Sequence, residues 1–205
     1  MFVLVIFLFS FTSKRNSKRK LTKSEVVFVG ENSLFLENET VNKLLIENNS
    51  HAKTIRKDRL DLNKLEQVLN AQEMIEKADV YVTIDGVLKA VVKQKTPIAR
   101  VFNDEGSFYI DSEGNTMPLS TNFTARVPLV SGEINKKNNK DLFKLFKIIY
   151  DDAFLRKNII GIQIMSNGSL LMLNRNYNYQ IDFGSLINVE RKFQNYKAFF
   201  QKVSL

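Results

Sequence analysis

The residues of this chain able to carry chemistry are few and scattered. His51 is its one histidine and stands in the polar stretch NNSHAK, which reads as solvated loop and not as the surroundings of a general base or metal ligand. Asp151 and Asp152 are adjacent on a predicted helix, so they diverge where an acid–base pair must converge. Asp111, Glu113 and Asn115 alternate in the manner of a calcium loop, but the distant bidentate Glu is missing, and a turn is the expectation. With no cysteine, thiol catalysis, disulfides and cysteine-based zinc sites are excluded. Gly30 and Gly86 are isolated, so no glycine-rich loop can cradle a phosphate. Phe143, Phe146, Phe193, Phe199 and Phe200 are expected in a core or docking a helix, not stacking nucleobases. No catalytic, metal or cofactor residue is assigned. The expectation is a binding protein that is not an enzyme.

Charge narrows the class of partner. The chain has 205 residues, 44% hydrophobic and 25% charged, an ordinary globular balance with room for one or two small domains. Its net charge is +8, but Lys14, Arg15, Lys18, Arg19, Lys20 and Lys23 all precede the first acidic residue, Glu25, and leave only +2 for the rest. A nucleic-acid binder carries its basic excess on the folded face that meets phosphate. Here it sits in a short spacer, and nucleic acid is not expected as a partner.

Ahead of the spacer, Met1–Thr12 reads MFVLVIFLFSFT, uncharged and apolar. A cleaved signal peptide would show a basic start and small residues at the cut. A buried core helix or strand would not be followed by KRNSKRK. The third reading, a transmembrane anchor that is short or begins upstream of Met1, fits length and flanks best, since a spanning helix needs about 20 apolar residues. The positive-inside rule taken by itself would leave the remainder in the cytoplasm, but large domains translocate largely regardless of flanking charge.

The elements that must position any site follow from periodicity. Ser24–Val29 is a β-branched, aromatic run ended by Gly30. Asn38 can cap a helix carrying Val41, Leu44 and Leu45, and Asp61 a second one carrying Leu62, Leu65, Val68 and Leu69. Val80–Ile84 and Val87–Val92 flank Asp85-Gly86, the pair that suits a two-residue type I′ hairpin. All three prolines then fall in a stretch of short irregular strands, with a hairpin signal at Ser112–Asn115 between Ser107–Asp111 and Thr116–Leu119. A helix is predicted over Asn139–Leu155, strands over Ile159–Met165 and Leu170–Leu173 about an Asn167-Gly168 turn, and a final helix over Val189–Val203. Tyr177–Phe183 alternates cleanly, with Tyr177, Tyr179, Ile181 and Phe183 on one side and Asn178, Gln180 and Asp182 on the other. The fold class is α+β.

The strand–helix–helix–strand–strand order behind an anchor and basic spacer resembles a POTRA domain, the polypeptide-transport-associated module. Thr96–Val101 (TPIARV) is followed by Phe108–Asp111 (FYID), Glu113-Gly114, Met117–Ser120 (MPLS), Arg126–Gly132 (RVPLVSG), Asn167–Leu170 and Phe183-Gly184 before a Lys/Phe-rich helix. This succession, over roughly Ser24–Val203, resembles the FtsQ/DivIB cell-division proteins, particularly Bacteroidetes forms. The resemblance implies an anchor at 1–13, a basic juxtamembrane spacer at 14–23 (Lys14, Arg15, Lys18, Arg19, Lys20), a POTRA domain at 24–96, and at 97–205 a mostly antiparallel β domain with flanking helices. It further implies a single-pass inner-membrane protein, its bulk in the periplasm at the division septum. There it would be a scaffold binding FtsB/DivIC- and FtsL-type partners and coupling the division ring to septal peptidoglycan synthesis. No cofactor, nucleic acid or small-molecule substrate is implied. Against the family pattern the chain looks shortened at both ends, since members usually continue from the final helix into a strand on which the FtsB-type partner adds. The alternatives are a POTRA-type chaperone or secretion component, which would need repeated POTRA units or a barrel, and a periplasmic hydrolase, which would need convergent ionisable groups.

Pattern and resemblance together nominate a docking edge. If the strand over Tyr177–Phe183 ends its sheet, its unpaired backbone invites strand addition, with Asn178, Gln180 and Asp182 flanking the docked segment and Arg156 offered as an ion-pair donor.

Overall fold

The computed structural model describes residues 2–17, 20–30, 35–47, 60–103, 106–134 and 138–203. The chain divides into two compact units, one formed by 1–95 with 120–123, the other by 96–119 with 124–205.

In the first unit, helix α1 (Phe2–Ser17) carries the apolar run and continues through Lys14 and Arg15. The helix therefore does not stop at residue 13, because nothing between Thr12 and Ser17 breaks it. Its 16 residues span about 24 Å, and no described helix is long and apolar enough to cross a membrane. Of the basic spacer, Lys18 and Arg19 lie outside the described residues, as does His51, and Lys20 is exposed.

Strand β1 (Lys23–Val29) is followed by helices α2 (Asn38–Glu47) and α3 (Leu62–Asn70) and strands β2 (Ile75–Val82) and β3 (Val87–Gln94). Asp61 caps α3 as its sequence position suggests, accepting the Lys64 N–H at 3.0 Å. Asn38 is instead the first residue of α2, and the Glu37 carbonyl accepts the Val41 N–H. The sheet order is β1-β3-β2, with β1 parallel and β2 antiparallel to the central β3. Alternate residues of β2 and β3 (Ala78, Val80, Leu88, Ala90, Val92) are buried with Val41, Leu45, Leu65 and Leu69 of the helices. Gln94, 4% exposed, accepts the N–H groups of Phe35 and Leu36 at 3.0 and 3.1 Å, so its burial leaves no donor or acceptor wasted there.

The β2–β3 turn is not type I′. That turn needs positive φ at both central residues, yet Asn188 is the sole described non-glycine residue with positive φ. Gly86 N–H bonds the Thr83 carbonyl and Thr83 N–H the Val87 carbonyl, which closes a three-residue loop with Gly86 (φ +85°) alone in the left-handed region. The same pair of bonds recurs at Asp111–Asn115 around Gly114 and at Met165–Ser169 around Gly168. Three hairpins thus share one device, a tight turn followed by a left-handed glycine.

The second unit holds strands β4 (Pro97–Asn103), β5 (Gly106–Asp111), β6 (Thr116–Met117), β7 (Leu129–Ser131), β8 (Ile159–Ile164), β9 (Leu170–Asn174) and β10 (Gln180–Gly184). Helices α4 (Asn139–Asp151) and α5 (Ala153–Asn158) lie between β7 and β8, and α6 (Val189–Val203) follows β10. The seven strands order as β10-β9-β8-β7-β4-β5-β6, antiparallel except where β7 joins β4 and β8 in parallel. The single helix expected over Asn139–Leu155 is two. Asp152 leaves the helical region (φ −95°, ψ 113°) and its carboxylate accepts the N–H groups of Phe154 and Leu155 at 3.0 Å, ending one helix and capping the next. Leu142, Leu145, Phe146 and Ile149 of α4 share the core with Ile98, Val130, Ile162 and Met172 of the sheet and Phe193 and Tyr196 of α6.

Candidate partner-docking groove

Strand β10 ends the seven-stranded sheet. It pairs antiparallel with β9, Gln180 opposite Leu173 and Asp182 opposite Leu171, and no strand pairs its other side among the described residues. It is shorter than its alternation suggested, since Tyr177, Asn178 and Tyr179 precede the paired segment. The cause is Asn174, whose side-chain oxygen accepts the N–H groups of Asn176 and Tyr177 at 2.7 and 3.2 Å and turns the chain out of β9. The facing nonetheless persists. Asn178, Gln180 and Asp182 are exposed, while Tyr177, Tyr179 and Ile181 are partly covered and Phe183 is buried. A bulge between Asp182 and Gly184 then breaks the ladder.

The inward residues of β10 meet α6 across a groove of about 420 Å3. Ile181 and Phe183 line the strand side, Phe193, Tyr196 and Phe199 the helix side, and Tyr179 stands at one end with its ring 5.7 Å from that of Phe199, edge to face. Phe183 and Phe193 pack at 4.9 Å. Two of these rings are fixed by polar contacts. Asn174 donates its amide to the Tyr196 hydroxyl. Burial pushes the Tyr196 phenol above the usual range; the neighbouring Tyr179 hydroxyl adds to the rise and the Asn174 amide opposes it, so the ring stays neutral and packs as an apolar wall. Lys192 donates to the carbonyls of Phe183 and Ser185 at 2.9 and 2.6 Å with its ammonium 5.0 Å from the Phe183 ring centre, tying the bulge to α6.

The groove is walled mainly by apolar and aromatic side chains. Among its described lining residues there is no histidine, and its charged groups are Asp182 on the rim and Lys192, which is engaged with carbonyls. No described group of three or more acidic or histidine side chains could hold a metal ion. Asp111 and Glu113 form a turn: the Asp111 carboxylate accepts the N–H groups of Glu113 and Asn115 at 2.9 and 2.8 Å.

Of the nominated docking residues, Gln180 and Asp182 line the groove. Asn178 is exposed just before the strand. Arg156 stacks on Tyr150 at 5.2 Å and donates to the Tyr150 carbonyl at 3.2 Å. Phe199, expected in a core or docking a helix, instead lines the groove. The α6 stripe of Val189, Phe193, Tyr196 and Phe200 accounts for the core, and the cue was an extra phenylalanine off that stripe, which is 51% exposed.

Residues 96–205, more than half of the chain, match the family model described as FtsQ/DivIB, C-terminal related. A similar solved structure is the major extracytoplasmic domain of the trans isomer of the bacterial cell division protein DivIB from Geobacillus stearothermophilus. The identity is 14%, over 51% of this chain and 89% of that one, with a TM-score of 0.39. No curated protein matches the chain. By the family match that spans its second unit, the chain belongs to the FtsQ/DivIB C-terminal related family of cell-division proteins.

Proposed function

We propose that this chain is a non-enzymatic scaffold of the cell-division machinery, anchored in the inner membrane through its apolar amino-terminal run, with its folded units in the periplasm. The β-α-α-β-β unit serves as its POTRA domain. FtsB/DivIC- and FtsL-type proteins are its partners, and an extended partner segment adds to β10 while its side chains enter the groove against α6. The observation that carries this reading is the coincidence of an end strand with an apolar groove along the same strand, in the unit that matches the family model. Main-chain pairing supplies register and side chains in the groove supply selectivity.

The test is capture of an FtsB/DivIC-type partner by the membrane-bound chain and by its Gln180→Pro variant. Proline removes a ladder donor and distorts the strand, so capture should be lost while circular dichroism shows the fold intact. Undiminished capture by a folded Gln180→Pro variant would reject β10 as the docking edge.

A further inference from the structure

The first unit also ends in an open-ended strand, β2, but its edge is already taken. Asn70, the last residue of α3, presents an amide to Ala78: its oxygen accepts the Ala78 N–H at 2.8 Å and its nitrogen donates to the Ala78 carbonyl at 3.2 Å. Donor and acceptor together are what a residue of a neighbouring antiparallel strand exchanges with its partner. One helical turn earlier, the Glu66 carboxylate accepts the Val80 N–H at 3.3 Å.

The match is metric as well as chemical. Residues four apart on a helix lie on one face and are separated by about 6 Å along its axis. Residues two apart on a strand point their backbone groups to the same side and are separated by about 6.8 Å. Glu66 and Asn70 therefore meet Val80 and Ala78 in antiparallel order with little mismatch. Leu65 and Leu69, each adjacent in sequence to one of these two, are buried at 2% and 0% exposure and hold α3 at this distance from the sheet.

We infer that α3 acts as a surrogate strand: Asn70 and Glu66 occupy the β2 edge and close it to strand addition, above all by a second copy of this chain. The inference rests on the first unit alone and is independent of the docking role proposed for β10. It also distinguishes the two sheets. The β6 edge is two residues long and is followed by Pro118, so it offers little ladder. The β2 edge, eight residues long with the exposed Tyr81 within it and Ile84 just beyond it, would be the more sociable one were it not filled.

Amide hydrogen exchange of the full chain in detergent tests this directly. In the native chain the Ala78 N–H should be protected although no described strand pairs with that side of β2; exchange at the rate of a free edge amide would overturn the proposal without any variant. In Asn70→Ala that amide should exchange roughly tenfold faster or more, the loss expected for one hydrogen bond. In Asn70→Asp, which keeps the acceptor and removes the donor, it should stay protected. Equal exposure in both variants would mean general loosening and defeat the idea. The Glu66→Ala/Asn70→Ala double variant should dimerise with concentration by light scattering and regain protection at Ala78. A double variant that stays monomeric at millimolar concentration would show that the edge was never held shut by these side chains.

Discussion

Replacing Gly132 by alanine tests the tightest site among the glycines of the second unit. Gly132 follows β7 at φ +99°, and a Cβ built on it would lie 2.2 Å from the Ile164 carbonyl oxygen and 2.9 Å from the Ile164 Cβ. The obstacle is main chain at the end of β8, so no side-chain rotation relieves it. A Cβ in the left-handed region costs about 1–2 kcal/mol by itself. Forcing β7 and β8 apart by about 1 Å adds the cost of overpacking, about 1–3 kcal/mol. Gly132→Ala should therefore lose about 3 kcal/mol, a large share of the roughly 5–15 kcal/mol that holds a typical domain together. Gly168→Ala is the matched control: φ is +80°, but nothing lies within 4 Å of the new carbon, so only the backbone strain of about 1–2 kcal/mol remains. Urea unfolding followed by tyrosine emission reads mainly this unit, because every tyrosine except Tyr81 lies in it and the chain has no tryptophan. The expected result is a midpoint shift clearly larger for Gly132→Ala with the same dependence on urea. Equal shifts for the two variants would refute the contact between Gly132 and Ile164.

Gly86→Val places a β-branched side chain at φ +85° with its Cβ 2.9 Å from the Lys20 carbonyl oxygen; a loss of about 2 kcal/mol in thermal unfolding is expected, and an unchanged melting curve would show that the β2–β3 loop does not need this glycine. Asp152 joins two helices, capping α5 while bonding Lys197 of α6. Burial raises its pKa, but Lys197 and the N–H groups of Leu155 and Phe154 outweigh this and hold the carboxyl below its ordinary 3.8. A depressed carboxyl contributes stability that is full above the unfolded value and lost as pH falls through the folded one. Asp152→Asn, which can still cap, should thus be less stable than the native chain near neutrality, and the gap in urea midpoint should close below about pH 4; a gap constant with pH would sever Asp152 from the Lys197 contact.

Much of the first unit was legible because each element announces itself locally: Asp61 ahead of a helical stripe, and alternation in Val80–Val92 about a Gly. The turn type was not, since Asp-Gly specifies where a left-handed residue is tolerated and not how many residues the loop holds. The break at Asp152 was hidden inside an unbroken helical period, which Leu142 through Leu155 satisfies whether or not the axis continues. Tyr177–Phe183 displays the opposite case: its alternation correctly gave the facing of seven residues, but pairing depends on Asn174, a turn former three residues upstream. The groove needed three dimensions, because Phe199 gains its meaning from Ile181 and Tyr179 on another element. The closure of β2 by Asn70 and Glu66 leaves no periodic trace at all.

Strand β7 has a kinetic consequence. Among the described residues its three residues are the sole link in the sheet between the meander β4–β5–β6 and the meander β8–β9–β10, and both of its pairings span about 30 residues of chain. Each meander can form from tight hairpins within microseconds, whereas β7 must close a long loop for each of its two pairings. The last event in building this unit is then the seating of Leu129–Ser131 between two prefabricated halves. Damage at that seam is expected in how fast the native unit comes apart more than in how fast it assembles, so the lifetime of this folded unit is set at the shortest inner strand of its sheet.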